Sequence, residues 1–428
     1  MIAERKDSME NIYLHRNFLC IDLKSFFASC ECIERGLNPF QVPLVVANPN
    51  QGNGAITLAV TPYLKDKGVK SRGRLYEIPR NIKYKIAPPR MSLYIKKSKE
   101  VVSIYLKYVA KEDLHIYSID ECFLDVTDYL KMYQKTDIEL AKDILNDIRK
   151  STGLYATCGI GPNMLLAKVS MDIEAKHNKD FIAKWDYEDI PNKLWKISPL
   201  SNMWGIGKRM EKKLNDLGIY SIEELAYYDR NKLKAKFGIM GAELWNHANG
   251  IDLSRIGDLK KGADKSYSHS QILFKDYNGQ NIKLIIEEMV EVITTRLRNN
   301  HKTCSTIGFG IGYSKSIGGG FYHSIKLENP TDQDTIIANI CLIIFDKFYQ
   351  ENMPIRKVTI SCGNLFEKAG VQLDIFHTIE DRVEKENIDK TIDLIKNRFG
   401  KNSLLKASSL LSDSTIKERN KKIGGHNA

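Results

Sequence analysis

Long hydrophobic runs are missing from this sequence. Its longest apolar stretches, such as "ICLIIF" at 340–345, fall far short of the ~20 residues that a membrane-crossing helix needs, so no membrane association is expected. The opening "MIAERKDSMENIYLHRN" is charged throughout and carries no apolar core of the kind a secretory leader needs, which makes the cytoplasm the expected compartment. Paired cysteines are missing as well. The eight cysteines (Cys20, Cys30, Cys32, Cys122, Cys158, Cys304, Cys341 and Cys362) sit in apolar surroundings without a C-x-x-C spacing, which points to reduced, buried thiols rather than disulfides or a zinc cluster. The nine histidines are scattered, with no two at helical ligand spacing.

What is present in excess is positive charge: 64 Lys and Arg against 53 Asp and Glu, a net +11 over 428 residues. Such a balance favours a polyanionic partner, with nucleic acid foremost. At ~150 residues per domain the length suggests about three domains.

Periodicity divides the chain. "NFLCIDL" and "VPLVVAN" read as core strands, "SLYIKKSKEVVSIYLKYVA" and "TDIELAKDILNDIRKSTG" as helices, the second stopped by Gly153, and "LYATCGIG" as a strand leading to a helix from Asn163. Strands interleaved with helices indicate an α/β or α+β domain. From Lys193 to Ile256 short helices punctuated by glycine predict a small all-α module, including a capping box from Ser221 to Glu224. A basic linker, "GDLKKGADKS", precedes a second α+β domain with the order strand, helix, strand, strand, helix, strand between Tyr267 and Cys362. Everything from Glu367 on is expected to be a tail.

"HIYSIDECFLDV", His115 to Val126, poses a puzzle. Asp120 and Glu121 are neighbours in a run that reads as β-strand, where adjacent side chains point to opposite faces. A tight turn between two strands would bring both to one point. Two ionised carboxylates ~4 Å apart repel by about 4 kcal/mol at an effective dielectric of about 20, and a bound cation reverses that sign. Asp22 ends a comparable apolar strand, so Asp22, Asp120 and Glu121 form a candidate trio of hard oxygen ligands suited to Mg²⁺. An isolated Asp-Glu pair, by contrast, is usually no more than a turn.

"CIDLKSFFASCE", "SIDECFLDV" and "CGIGPNMLLAKVSMD", in this order and at these separations, resemble the Y-family of translesion DNA polymerases, in particular the bacterial damage-inducible mutagenesis branch that includes UmuC- and DinB-like enzymes. The resemblance runs from about Asn17 to Phe366. It implies a multidomain α+β fold: a right-hand polymerase with a ferredoxin-like palm (1–25 and 91–185), small fingers (26–90), an all-α helix-hairpin-helix thumb (186–257), a linker (258–264) and an α+β little finger (265–366), followed by a C-terminal tail (367–428). The implied activity is error-prone, template-directed extension of primed DNA with dNTPs by a monomer that uses two Mg²⁺ ions. By position, Asp22, Asp120 and Glu121 would be the catalytic metal ligands, assisted by the backbone carbonyl of Leu23. Phe27 would be the steric gate against a 2′-hydroxyl, with Phe26 a core aromatic. Lys168 would meet the triphosphate. The family motif Tyr-x-x-Arg before "GV" is altered here to "TPYLKDKGV", with Pro62 and Lys65 at those positions. Lys65 can still place a charge on phosphate but cannot form the two-pronged contact of an arginine. Lys24, where relatives often carry Asp or Asn, is not expected to bind metal.

Three further stretches point to partners. "WGIGKR" has the form of a helix-hairpin-helix turn, in which Gly205 and Gly207 let backbone N–H groups reach a DNA phosphate, with Lys208 and Arg209 alongside. In "STIGFGIGY" Gly308, Gly310 and Gly312 alternate with Ile307, Phe309 and Ile311. One strand face is therefore apolar and the other bare, open either to DNA backbone contact or to a bulky neighbour. "QLDIF" (Gln372, Leu373, Asp374, Ile375, Phe376) resembles the peptide that binds the bacterial sliding clamp. From Lys396 to Ala428 eight Lys and Arg stand against Asp413 and Glu418, which suits a DNA- or partner-contacting arm or a solvated tail. Two rivals to a polymerase are a non-catalytic, clamp-recruited DNA-binding scaffold of the same fold and a nucleotide cyclase with a palm-like two-metal site. The intact acids weigh against the first, the helix-hairpin-helix module and basic excess against the second.

Overall fold

A computed structural model describes residues 13–259, 266–368 and 379–427. The chain divides into two compact units, Met1–Lys261 and Gly262–Asn427.

The first unit is organised on a five-stranded sheet of order β5-β6-β1-β7-β8, made from β1 (Phe18–Leu23), β5 (Leu114–Ile116), β6 (Glu121–Asp125), β7 (Ala156–Gly161) and β8 (Ile182–Lys184). β1 is the central strand, antiparallel to both β6 and β7. Its alternation explains the apolar run at 18–21. Leu19, Ile21 and Leu23 enter one core with Tyr105, Ile144 and Ile148, while Phe18 and Cys20 enter another with Met164, Ala167 and Met171. The first core takes its helical side from α2 (Met91–Tyr105) and α3 (Asp137–Thr152); the second takes it from α4 (Met164–Ser170). A strand covered on both faces has no polar side to show. α3 begins in a capping box of Thr136 and Glu139 and ends at Gly153, whose φ of 73° supplies the left-handed stop. α4 is capped by Asn163, whose side chain accepts from the Leu166 N–H at 2.8 Å.

After β1 the chain turns at Ser25 into α1 (Phe26–Ile33). A smaller sheet follows, of order β3-β2-β4, with β2 (Leu44–Val46), β3 (Ala59–Val60) and β4 (Lys85–Ala87). Short helices between 208 and 248, including α5 (Lys208–Asn215), close on a third core of Leu214, Ile222, Leu225 and Leu244. The expected capping box from Ser221 to Glu224 is present.

The second unit is a four-stranded antiparallel sheet of order β11-β10-β12-β9, with β9 (Ser266–Tyr277), β10 (Lys302–Tyr313), β11 (Gly320–Thr331) and β12 (Ile355–Glu367). α6 (Ile282–Asn299) and α7 (Asp334–Phe348) share its core through Ile285, Met289, Ile293 and Phe345. The expected tail needs correction, because residues 379–427 are folded against this unit. α8 (Ile379–Phe399) places Asp393 on Arg298, Nε to Oδ2 at 2.6 Å, and Lys396 on Glu291. Glu288, 3% exposed, accepts from the Thr415 N–H and hydroxyl, both at 3.1 Å. A buried carboxylate needs such partners, so these acids of α6 commit the C-terminal segment to a fixed seat.

Candidate active site

The end of β1 sets the site. Asp22 lies directly across from Glu121, the first residue of β6, and the Leu23 N–H donates to the Asp120 carbonyl at 2.9 Å. β5 and β6 form a hairpin whose turn is closed by the Tyr117 and Ser118 N–H groups, both donating to the Glu121 carbonyl at 3.0 Å. Asp120 thus sits in the turn and escapes strand alternation, while Glu121 starts the strand. That is how two neighbouring acids come to face one cleft. Ser118 belongs to the same turn: its Oγ donates to Asp120 Oδ1 at 2.7 Å and accepts from the Asp120 N–H at 3.3 Å, holding the carboxylate in place.

Asp22, Leu23, Asp120 and Glu121 line a cleft of about 1090 Å³ together with Phe27 and Lys65. Lys24, Arg72, Tyr117, Lys176 and Phe181 also line it. Phe27 is half-buried, whereas Phe26 is 2% exposed and belongs to the core. At the start of α1 Ser25 has φ 48°, a left-handed conformation unusual for a residue with a side chain, and its buried Oγ has no hydrogen-bond partner. Strain of this kind costs about 1–3 kcal/mol and gathers at functional sites.

The acids of the cleft crowd one another. Burial, then the repulsion of Asp120 and Glu121, push the Asp22 carboxyl up to about 6 against the pull of Lys176, whose ammonium lies 3.5 Å from Asp22 Oδ2. Glu121, on the wall of the cleft, is held through Oε1, which accepts from Lys168 Nζ at 2.7 Å and from Cys20 Sγ at 3.3 Å. Among the described residues no three acidic, His or Cys side chains close into a ready-made ion cage. The donor chemistry nevertheless fits a hard divalent ion. Asp22, Asp120 and the Leu23 carbonyl could hold one, joined by Glu121 once it turns from Lys168.

Lys168 does not stand where its expected role requires. It is 7% exposed, absent from the cleft lining, and bonded to Glu121 and to Asp172 at 3.0 Å. Burial alone would push its ammonium down, but Cys20, Asp172 and Glu121 outweigh that and hold it above the ordinary lysine value. Lys176 is the lysine of this segment that reaches the cleft. Lys24 places its ammonium 4.2 Å over the Phe181 ring and donates to the Lys176 carbonyl at 3.3 Å. Sequence reasoning missed Lys176 and Arg72; the available signal was a cation one turn or more beyond each recognised motif.

Gly205 (φ 90°) and Gly207 are exposed, and Gly207 caps α5, followed by exposed Lys208 and Arg209. A side chain on Gly207 would meet nothing within 4 Å, so its backbone is open to a ligand. Gly308 and Gly310 are not. Both are buried in β10, which pairs on both sides, and Tyr322 lies across them with its hydroxyl 2.6 Å from Ser361 Oγ. Of the two readings left open for this face, the bulky neighbour holds: an aromatic ring, not DNA, covers the amides of Gly308 and Gly310. Gln372, Leu373, Asp374, Ile375 and Phe376 lie outside the described residues.

Comparison with known proteins agrees along the whole chain. The impB/mucB/samB family matches residues 21–172, its helix-hairpin-helix motif 187–219, and its C-terminal domain 264–375. UvrX of Bacillus subtilis (strain 168), whose name refers to UV-damage repair, is 40% identical over 96% of this chain and 97% of its own. The chain belongs to the impB/mucB/samB family. DNA polymerase IV 2 of the same organism is 33% identical over 95% of this chain and 97% of its own. Among solved structures, a Y-family DNA polymerase chimera covers 82% of this chain and 99% of its own with a TM-score of 0.65 at 18% identity. By family and by fold this is a Y-family DNA polymerase. Among the described residues no helix is long and apolar enough to cross a membrane.

Proposed function

We propose that this polymerase extends primed DNA from dNTPs with low fidelity and across damaged template positions, through two Mg²⁺ ions held by Asp22, Asp120, Glu121 and the Leu23 carbonyl. The observation that carries the reading is the meeting of the β1 end and the β5–β6 turn at one cleft that also holds an aromatic ring and cations. In the reaction the primer 3′-oxygen bonds to the α-phosphorus of the dNTP, the bond to the pyrophosphate breaks, and the hydroxyl proton leaves to solvent. Bound metal would ease loss of that proton and offset charge on the leaving pyrophosphate. Lys65 and Lys176 would bind the triphosphate, Lys168 would hold Glu121 until metal binds, and Phe27 would exclude a 2′-hydroxyl by overlap. Gly205, Gly207, Lys208 and Arg209 would grip duplex phosphates. Gln372 to Phe376 would dock on the bacterial sliding clamp, and deleting them should abolish clamp stimulation while leaving distributive synthesis intact.

Primer extension with Mg²⁺ tests the reading. Asp120→Ala and Glu121→Ala should each lower the rate by roughly a hundred-fold or more with DNA affinity retained. Extension at the parent rate by both variants would remove these acids from the chemistry, and a parent that extends no primer would leave only the clamp-recruited scaffold.

A further inference from the structure

One buried charge in the first unit has no part in the chemistry above. The Glu31 side chain, in α1, is fully buried. Arg90 grips it as a fork, with Nε 3.0 Å from Oε1 and Nη2 2.8 Å from Oε2. Arg35 binds it from the next turn, and the Tyr94 hydroxyl donates to Oε1 at 2.8 Å. Burial pushes the Glu31 carboxyl up, but the bonds from Arg90, Arg35 and Tyr94 outweigh it and hold it below the ordinary range; burial also raises the Tyr94 phenol, which therefore stays a donor. Sequestering a carboxylate is costly unless its partners are well placed, which prompts the question of what this arrangement holds in place.

It holds Tyr94. That ring is 0% exposed, tethered by its hydroxyl, and lies parallel to Phe27 with centroids 4.4 Å apart and planes 12° apart. Phe26 meets both rings, at 5.7 Å from Phe27 and 6.4 Å edge-on from Tyr94. One face of Phe27 is therefore stacked on a buried, tethered ring, while Phe27 also lines the cleft. Exclusion by overlap works only if the excluding group does not yield, and repulsion is lost when a ring gives way by a fraction of an ångström.

We propose that Glu31 is a positioning residue for sugar selection: by tethering Tyr94 it fixes the ring on which Phe27 is stacked, and so sets how firmly the cleft rejects a 2′-hydroxyl. The proposal rests on Phe27 acting as the gate, and Phe27→Ala tests that premise separately. The experiment is primer extension by the full chain, comparing kcat/KM for dNTP and rNTP, with thermal stability measured alongside. Tyr94→Phe keeps the stack and removes only the tether. It should admit rNTP about three- to ten-fold more readily with dNTP kcat/KM within about two-fold. Glu31→Gln should shift the ratio in the same direction, and Tyr94→Leu, which removes the stack, should approach Phe27→Ala. A purely structural network would move stability and leave the ratio alone. The parent ratio in both Tyr94 variants, with a lost ratio in Phe27→Ala, overturns the proposal; a parent ratio in Phe27→Ala overturns the gate and the proposal together. Should Glu31→Gln fail to fold, the Tyr94 variants still decide.

Discussion

Lys168 and Lys176 show how far a single residue can be read from sequence. Both come after the strand "ATCGIG", and Lys168 lies inside the recognised motif. Yet a π-helical turn at Met171–Ala175, with the Lys176 N–H donating to the Met171 carbonyl at 3.1 Å, inserts an extra residue between them. Such a bulge rotates the helical turn on its C-terminal side relative to the turn on its N-terminal side, which sends Lys176 into the cleft and leaves Lys168 behind it on Glu121. No periodicity in the sequence announces it. Lys176→Ala should raise the KM for dNTP by about ten-fold or more at unchanged DNA affinity, because it removes a cation from the cleft. Lys168→Met should instead lower stability by about 3–5 kcal/mol, having left Glu121 buried without its partner; steady-state kinetics and denaturant titration separate the two. Asp22 adds a pH dependence. Its carboxyl, raised to about 6, is protonated below that pH, so protons compete with Mg²⁺ and the Mg²⁺ concentration giving half-maximal extension should climb as pH falls from 7 to 5.5. A flat dependence would disconnect Asp22 from the metal.

Elements were legible where one residue type dictated the geometry. Gly153, Asn163 and the Ser221–Glu224 box marked helix ends, and the Asp120 turn followed from two acids that a strand could not have brought together. β10 was ambiguous because glycine alternation fits either an open face or a covered one. The choice was made by Tyr322, on the neighbouring strand β11, whose register against β10 no local pattern supplies. A Cβ at Gly310 would come within 2.5 Å of the Phe321 carbonyl oxygen, which is backbone and cannot swing aside, whereas at Gly308 the worst clash is with the Tyr322 hydroxyl at 2.1 Å. Gly310→Ala should therefore cost about 1–3 kcal/mol whatever Tyr322 does. Gly308→Ala should cost less, and adding Tyr322→Ala should recover most of it. Equal and unrescued losses in denaturation would mean that Tyr322 does not occupy that face.

For the molecule as a whole, the basic excess was legible and its meaning was not. Much of it lies between Lys396 and Lys422, where a run of cations suggests a DNA-binding arm. Most of those cations are already engaged: Lys396 with Glu291, Lys406 near Glu291 and Asp334, Arg419 with Gln271, Lys421 with Glu418, and Lys422 over the Phe274 ring. Lys396 and Lys406 seat the C-terminal segment on acids of its own unit, and Arg419 and Lys422 on Gln271 and Phe274, which local charge counting cannot distinguish from a free arm. The exposed cations at the start of α5 differ in kind, because they flank open backbone at Gly207. Deleting one cation that neutralises a DNA phosphate should reduce the slope of log affinity against log salt by about 0.9. Removing Lys208 and Arg209 together should flatten that slope by up to about two such steps, while Lys406→Ala with Lys421→Ala should leave it at the parent value. The opposite pattern in salt titrations of duplex binding would move the DNA-gripping surface from the helix-hairpin-helix turn to the C-terminal segment.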